Sequence, residues 1–485
     1  GPRGRISLVA GTNVAPPRID AGSLRGVRSV AMSDGLSGWA VGDGALVLRS
    51  NNGGVSWQPP EQPLPLELSR FADFKAVAAV GNRVWIAGNP GGRIWHSRDG
   101  GLSWAGAATG LTTPVNDLHF SSENSGVAVG AFGTILQTSD GGTSWQIAHG
   151  GSRRAGQGSR RAAVLTIQSN PDRIPFGMLA KYAGDQGYRS VSLVLPRRDT
   201  SAESDLAIDR TLHDSVIAVG GGGAESGWRL PMALPEIDAS LDALTADWQR
   251  HTEGRLVEVV MSNLVAAIRT WRPSIIVIEE PGSADAAGSG QDAATVIIRD
   301  AVQRAIGEAA DSTRFIEHQE LGGVGAWRVE KVFLQSATGS RTGINIDPYD
   351  VLPRLGTTVE AAAMTGRSKL IPGISHAPKS EPFTALGGAD EKFTLVAARD
   401  FWAGLSLAPD SDARRPQLSL NEAKYEAQQE VAITQRNFRG ISEKFATDSV
   451  KSAQLLAELR GVVKKMPRPQ GALQVAHLAN DYRRR

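Results

Sequence analysis

An eight-residue pattern occurs three times in the first 150 residues, and it constrains the fold more than any other feature of the sequence. Segments 50–57, 97–104 and 138–145 all fit Ser/Thr-x-Asp/Asn-Gly-Gly-x-Ser-Trp. Their tryptophans lie 47 and 41 positions apart, which is the length of one propeller blade. Short apolar runs precede each octet, such as GWAVG at 38–42, so each repeat is predicted to be a meander of about four strands.

The octet has a local structural interpretation. Its Asp or Asn accepts backbone N–H bonds within the turn, its two glycines take positive φ, and its Trp packs between neighbouring blades. The residues predicted to fill these structural roles are Asn52, Trp57, Asp99, Trp104, Asp140 and Trp145. The pattern resembles the Asp-box (BNR) repeat, and the GWAVG phrasing is similar to the photosystem II assembly-factor class of propellers, over residues 24–150. The resemblance implies a structural role for the box and no direct part in ligand binding.

Three blades do not close a ring, since propellers generally need 4–8. The sequence leaves three arrangements open: irregular blades elsewhere in the chain, blades supplied by protein partners or further copies, or an open arc resting on the next domain. Sialidases carry the same box but use a Tyr nucleophile. None of the 5 Tyr lies before residue 151, so this segment is not expected to have glycosidase activity.

Composition excludes further classes. The chain has 485 residues and no Cys, which removes disulfides, thiolate metal sites and Cys nucleophiles. A net charge of +2 argues against a polyanion binder, and we expect no nucleic-acid partner. No apolar run approaches the length of a transmembrane helix, and residues 1–23, an N-terminal extension, lack a signal-peptide pattern. These features predict a soluble protein.

From residue 163 the pattern alternates between strands and helices, after a Gly/Ser/Arg linker at 151–162. This alternation predicts a Rossmann-like three-layer α/β domain over 163–372 with a mostly parallel sheet. The predicted strands are 163–168, 190–196, 215–220, 274–281 and 329–336, and the predicted helices are 175–187, 254–271 and 292–310. Ligands of such sheets bind beyond the carboxyl ends of the strands, which places a site at the loops 169–173 and 279–292.

This order resembles the PIG-L/LmbE family of zinc-dependent deacetylases over residues 163–370. The residues that carry the resemblance are Asn170-Pro171-Asp172, Asp185-Gln186-Gly187-Tyr188, Arg272-Pro273, Glu280 and Ile346-Asp347-Pro348-Tyr349. The family's first motif is His-Pro-Asp-Asp-Glu, in which the His and the second Asp bind zinc and the first Asp is the general base. The resemblance implies the base role for Asp172, whereas Asn170 and Arg173 occupy the two ligand positions.

The altered positions do not suit a catalytic zinc, which needs three protein ligands and one open position. Asn170 is a poor ligand, and Arg173 places a cation where the metal would lie. The family's later His-x-x-His motif falls near Gln291 and Asp292, where no His occurs. We therefore expect no cofactor and no zinc. In the alternative, Glu279, Glu280, Asp285 or Asp292 builds a new oxygen site with Asp172 as the catalytic residue.

The rest of the chain is predicted to be a Pro-rich loop and β extension at 373–415, followed by a helical region at 416–485. Helices are expected near 420–445, 447–465 and 470–484, interrupted by prolines. Residues 414–485 carry 14 Lys/Arg against 7 Asp/Glu, so this region is basic. The last helix resembles the start of a helical repeat, from which we expect the chain to be part of a longer protein.

Together these features predict a multidomain, non-catalytic scaffold protein with protein partners or a homo-oligomer that completes the propeller. The sequence also leaves a glycan as an alternative ligand. The family resemblance predicts an extracytoplasmic location, in the periplasm or at the cell surface. The alternative is a metal-dependent carbohydrate N-deacetylase with an unconventional site around Asp172.

Overall fold

The computed structural model describes most of the chain. The described residues are 8–10, 13–15, 18–19, 25–149, 159–199, 205–233, 240–280, 292–336, 343–370, 380–387, 394–396, 400–420, 422–447, 452–466 and 475. Three short strands come first: β1 (Leu8–Ala10), β2 (Asn13–Ala15) and β3 (Arg18–Ile19). Strands β1 and β2 form an antiparallel hairpin.

Three antiparallel meanders follow, at the positions of the three predicted blades. Blade 1 comprises β4 (Val27–Met32), β5 (Gly38–Gly42), β6 (Leu46–Ser50) and β7 (Ser56–Trp57); blade 2 comprises β8 (Asp73–Val80), β9 (Arg83–Asn89), β10 (Arg93–Ser97) and β11 (Ala105–Ala108); blade 3 comprises β12 (Val115–Phe120), β13 (Gly126–Gly130), β14 (Thr134–Thr138) and β15 (Gln146–His149). Blades 2 and 3 are four-stranded sheets, while β7 pairs with β3 and meets β6 through one bridge.

Neighbouring blades pack through a tryptophan of one and the octet turn of the next. Trp39 of β5 lies against Gly101 and edge-on to Trp104, with ring centroids 5.7 Å apart. A Cβ on Gly101 would lie 2.3 Å from the Trp39 ring, so only glycine fits there. Trp85 of β9 repeats the contact with blade 3 and donates its Nε1–H to the Gly141 carbonyl at 2.8 Å.

A mixed sheet forms the centre of the second domain. Its strands are β16 (Val164–Gln168), β17 (Ser190–Val194), β19 (Ala224–Ser226), β21 (Ile275–Glu279), β22 (Lys331–Gln335), β23 (Ile344–Ile346), β26 (Glu381–Gly387) and β27 (Thr394–Val396). The order is β19-β17-β16-β21-β22-β26-β23, and β27 pairs with β26. The first five strands are parallel, and β23, β26 and β27 join antiparallel. Smaller pairs are formed by β18 (Arg197–Asp199) with β20 (Pro231–Ala233) and by β24 (Val351–Leu352) with β25 (Thr357–Thr358).

Helices cover both faces of this sheet. They are α1 (Phe176–Leu179), α2 (Asp205–Ala218), α3 (Leu241–His251), α4 (Leu256–Trp271), α5 (Ala293–Ala310), α6 (Ile316–Glu320) and α7 (Val359–Leu370). Leu165 and Ile167 pack with α3, α4 and α5, whereas Val164 faces α1, α2 and α7, as the alternation of a β-strand requires. The first helix ends in a π-helical turn over Ala180–Asp185.

The predicted strand at 215–220 is wrong, because this segment ends helix α2. Its β-branched residues favour a strand by composition. However, Leu212, Val216 and Val219 are spaced for one helical face, and all three are buried in the core shared with α7. The edge strand of the sheet is β19 instead.

In the part of the chain that the structure describes, the three blades form an open arc that packs against the α/β domain. The loop between the second and third strands of each blade makes the contact: Gly44 lies against Trp228, Gly92 against Gly322, and Phe132 edge-on to Trp271 at 5.6 Å. In an antiparallel meander this loop lies at the opposite end from the octet turn. The octet turns therefore lie at the end of each blade away from the α/β domain.

Two carboxylates, one from each side of this interface, accept hydrogen bonds from side chains of the opposite side. Asp73 of blade 2 accepts from the Trp228 Nε1–H at 2.9 Å and pairs with Arg229. Glu225 of β19 accepts from Lys75 at 2.9 Å and from Asn89 at 3.0 Å. Burial opposes ionisation of Asp73, but Arg229 and the donated hydrogen bonds hold its pKa below the usual value.

The C-terminal region forms a helical hairpin of α8 (Glu422–Thr447) and α9 (Ser452–Lys465), joined by Phe438, Leu459 and Met466. The third predicted helix lies outside the described residues, apart from residue 475. Arg436 of α8 binds Asp347 at 2.9 Å, which connects the hairpin to the α/β domain. Within the described part of the chain, every helix is too short or too polar to cross a bilayer.

The buried His318 predicts how the stability of the protein depends on pH. Its ring is fully buried, 4.4 Å from the ring of Phe71 in the connection between blades 1 and 2, and its Nε2 lies 3.1 Å from Ser262 Oγ. Burial and then the charge of Arg269 lower its pKa to about 3. The unfolded chain, with a His pKa of about 6.5, binds this proton first, so stability should fall as pH drops from about 6.5 towards 3.

Thermal unfolding of the protein at about pH 7 and about pH 5 checks this. His318→Gln, which keeps a polar group for Ser262, should show a smaller drop in Tm between the two pH values than the wild-type protein. His119→Gln, at an exposed position on blade 3, is the control. An equal pH-dependent drop in both variants and the wild-type protein would contradict the assignment to His318.

Candidate functional site

The carboxyl ends of β16 and β21 lie side by side and bring a buried carboxylate to the predicted site. Glu279, the last residue of β21, accepts the backbone N–H of Ser169 at 2.6 Å and the Thr295 hydroxyl at 3.1 Å. The Ser169 and Thr295 hydroxyl oxygens lie 2.8 Å apart. Burial raises the pKa of Glu279, although these hydrogen bonds and the Arg173 charge oppose the rise. Glu279 thus ties the β16 loop to helix α5.

The Asn-Pro-Asp loop forms one turn of 3-10 helix directly after Ser169. Asn170 caps this turn, because its Oδ1 accepts the Asp172 N–H at 3.0 Å. Asp172 and Arg173 are both exposed. The positive charge of Arg173 acts on Glu279 across the site.

Asp292, the other described member of the predicted vestigial site, is the N-cap of α5. Its Oδ1 accepts the Ala294 N–H at 3.0 Å, and its Oδ2 lies 3.4 Å from Ser169 Oγ. Gln291 and Asp285 lie outside the described residues. Glu280 points to another partner, since its carboxylate accepts the Ser336 hydroxyl.

These residues do not fit a catalytic zinc site. Asn170, Glu279 and Asp292 each use a side-chain oxygen, the atom that would bind a metal, to accept hydrogen bonds from the protein. The residue after Asp172 is Arg173, which supplies a guanidinium and not a metal ligand. Among the described residues, no group of three or more His, Cys, Asp and Glu side chains could hold a metal ion. The structure brings Ser169, Glu279, Asp292 and Thr295 together, and sequence analysis missed Ser169 and Thr295 because neither belongs to the motif.

The six octet residues act within their own turns or between blades. Asn52, Asp99 and Asp140 each accept the N–H of the residue four positions on, at 2.9–3.0 Å. Hydrogen bonds from Ser103, Ser97 and the turn backbone lower the pKa of Asp99 to about 2, and the same pattern lowers the pKa of Asp140 to about 2. Trp57 bonds to Gly54 of its own turn, Trp104 reaches the Gln62 carbonyl, and Trp145 packs edge-on to Phe120.

The outer face of blade 3 differs from the equivalent face of the other blades. Trp39 and Trp85 occupy equivalent positions in β5 and β9 and are 2% and 0% exposed, because the next octet turn covers them. In blade 3 the same position is Val127, which is 42% exposed, as is Val129 two residues on. The described chain places no further blade on this face, so the surface is open where the arc ends.

The interface between the arc and the α/β domain is the part that sequence analysis missed most completely. The Gly220–223 run has the composition of a mobile turn, yet it packs against blade 3. A Cβ on Gly222 would lie 2.2 Å from the Phe132 ring, and its N–H bonds to the Ser190 carbonyl at 2.7 Å. Four successive glycines after an apolar helix could have indicated a close backbone approach.

Comparison with known proteins supports the assignment of the blades. The family model described as photosynthesis system II assembly factor YCF48 matches residues 20–114. The photosystem II assembly lipoprotein Ycf48 of Synechococcus sp. (strain CC9902) is 31% identical over 24% of this chain and 35% of its own length. A solved structure of YCF48 bound to D1 peptide is 29% identical over 25% of this chain and 39% of that one, with a TM-score of 0.23.

The chain spans about a third of the length of the curated relatives it matches. Its blade segment is therefore similar to photosystem II assembly factors, which confirms that part of the predicted resemblance. For the α/β domain, N,N'-diacetylchitobiose deacetylase from Pyrococcus horikoshii is 14% identical over 43% of this chain and 71% of that one, with a TM-score of 0.29. A similarity this low leaves the deacetylase resemblance a prediction.

Glu279 and Asp172 provide a matched test of this site. Glu279→Ala removes the acceptor of the Ser169 N–H and the Thr295 hydroxyl, so we expect the free energy of unfolding to fall by about 1–3 kcal/mol. Asp172→Ala, at an exposed position, should change it by less than about 0.5 kcal/mol. Denaturant unfolding measures both. A larger loss for Asp172→Ala than for Glu279→Ala would contradict this account of the loop.

Proposed function

We propose that this chain is a non-catalytic scaffold protein, in which a propeller arc and a metal-free, deacetylase-like domain present surfaces to other proteins. The observation that carries the proposal is the state of the predicted catalytic edge. Glu279 accepts hydrogen bonds from Ser169 and Thr295, and Arg173 stands where the deacetylase resemblance implies a metal ligand. These groups stabilise a loop and offer no set of metal ligands.

The similarity of the blades supports protein partners as the binding class. The matching family and its Synechococcus member are named as assembly factors, and an assembly factor acts on other proteins. The same relative is named a lipoprotein, which favours an extracytoplasmic location for this chain too. We propose that the chain belongs to a larger assembly at such a site.

The competing function, deacetylation of acetylated amino sugars, depends on Asp172. We expect the purified chain, supplied with Zn²⁺, Co²⁺ or Ni²⁺, to release no acetate beyond the rate of the Asp172→Ala variant. Metal analysis of the purified protein should likewise find less than one equivalent. Turnover and stoichiometric metal that both disappear in Asp172→Ala would show a hydrolase and overturn the scaffold proposal.

The open face of blade 3 offers a specific surface for assembly, and we propose that a second copy of the chain covers it. Within the arc this face is always covered by the octet turn of another blade, as Gly101 covers Trp39 and Gly142 covers Trp85. Two arcs of three would give a ring within the usual range of 4–8 blades. The exposed Val127 and Val129 would then lie in the same kind of contact as their equivalents.

Light scattering of the full chain over a range of concentrations tests this self-association. We expect a dimer that dissociates when Val127→Asp and Val129→Asp are combined, since two charges would be buried at the contact. Leu102→Asp, on the exposed octet turn of blade 2, should leave the mass unchanged. A strict monomer, or a dimer insensitive to the double substitution, would exclude ring completion by a second copy.

A further inference from the structure

A cavity of about 660 Å³ lies between blade 3 and the α/β domain. Phe132 and Trp271 form part of its wall, and the loops that precede β17 and β19 form another part. It therefore lies at the opposite ends of the parallel strands from Asp172. Its cationic lining residues are Lys75, Arg160, Arg189 and Arg415.

Arg160 is the most unusual of these residues. It is only 7% exposed, and its Nη1 donates to the Phe132 carbonyl. Its Nε and Nη2 are buried without a hydrogen-bond partner among the described residues. A buried guanidinium with two donor atoms that bond to no protein group is unfavourable unless water or an anion approaches it, and an anion also compensates its charge.

Two further guanidinium groups surround the cavity. Arg189 is buried and donates to the Ser411 carbonyl at 2.9 Å, and Arg415 donates to the carbonyls of Ala183 and Gly220. Burial, followed by the charges of Arg160 and Arg415, lowers the pKa of Arg189 to about 10, although Asp412 and Asp410 oppose this. These arginines repel one another.

The acidic side chains of the cavity lining are engaged elsewhere. Asp185 accepts the N–H groups of Arg354 and Leu355. Glu225 binds Lys75 and Asn89 in the interface with blade 2, so its carboxylate also compensates the positive charge of Lys75. Outside the lining, Asp412 is paired with Arg161 at 2.8 Å. The carboxylate of Asp410, also outside the lining, acts on both Arg160 and Arg189. It offsets one charge, so the three guanidinium groups of Arg160, Arg189 and Arg415 still give the cavity an excess of positive charge.

We infer that this cavity binds a small molecule that carries a phosphate group. A phosphate brings up to two negative charges and several acceptor oxygens, which suit the fork of Arg160 and the neighbouring guanidinium groups better than a single carboxylate does. The aromatic side chains of Phe132 and Trp271 can cover an apolar part of the ligand, and the volume is typical of small-molecule sites. This site is separate from the surfaces of the scaffold proposal and does not depend on it.

Calorimetric titration of the full chain with inorganic pyrophosphate tests the inference. We expect saturable binding that weakens with added salt. Arg160→Gln should weaken it about 10- to 100-fold, the loss typical of hydrogen bonds to a charged group. The affinity of Arg160→Lys, which keeps the charge without the planar guanidinium, should lie between those of the wild-type protein and Arg160→Gln. Arg304→Gln, at an exposed position of α5, is the matched control and should bind as the wild-type protein does.

Thermal unfolding without added pyrophosphate separates binding from a structural role. If Arg160 serves a ligand, Arg160→Gln removes a buried charge whose Nε and Nη2 have no hydrogen-bond partner among the described residues, and the Tm should stay equal or rise. A lower Tm of Arg160→Gln together with unchanged binding would overturn the inference. So would the absence of saturable pyrophosphate binding by the wild-type protein, or tighter binding of citrate, a polycarboxylate, than of pyrophosphate. If Arg160→Gln does not fold, wild-type affinity in Arg160→Lys would overturn the inference in its place.

Discussion

The arrangement of the chain depends on the polar interface that holds the three blades against the α/β domain. Asp73 on blade 2 binds Trp228 and Arg229, while Glu225 on the edge strand binds Lys75 and Asn89. Each carboxylate loses hydration on burial, and the donors of the opposite domain offset that loss. Both carboxylates are half-buried, and each has partners from the opposite domain, so the two domains are held together by reciprocal contacts.

Within one copy of the chain, this interface supports blades that have no closed ring around them. A blade needs both faces covered, and a closed ring supplies a neighbour to every blade. Here the loops opposite the octet turns are covered by the segment after β19, by α4 and by the segment after α6. The outer face of blade 3 stays open in the described part of the chain. The same docking bounds the cavity that is lined by Arg160, by Phe132 and by the glycines at 220–223.

How far the sequence predicts this structure depends on the separation of the interacting residues. The octet could be interpreted because Asp99 binds residues within four positions, and the parallel sheet because apolar runs alternate with amphipathic helices. The strand prediction for segment 215–220 is wrong because the burial of Val216 against α7 outweighs β-propensity. Pairs such as Asp73 with Trp228, 155 positions apart, leave no local signal. For the same reason the sequence locates the loop at Asp172 but not the bond from Ser169 to Glu279, 110 positions apart, or the contact with Thr295.

The two ends of the parallel sheet now have different chemical characters. At the carboxyl end, the buried Glu279 is satisfied by neutral donors, and the loop it holds is stabilised internally. At the amino end, Arg160 carries donors that the described protein does not satisfy, and Phe132 of blade 3 supplies both a carbonyl and a ring to the same space. An anion bound there would contact groups of both domains, so its binding energy would add to the stability of the interface. Ligand binding and the presentation of the blade surfaces are therefore expected to be linked through the same contact.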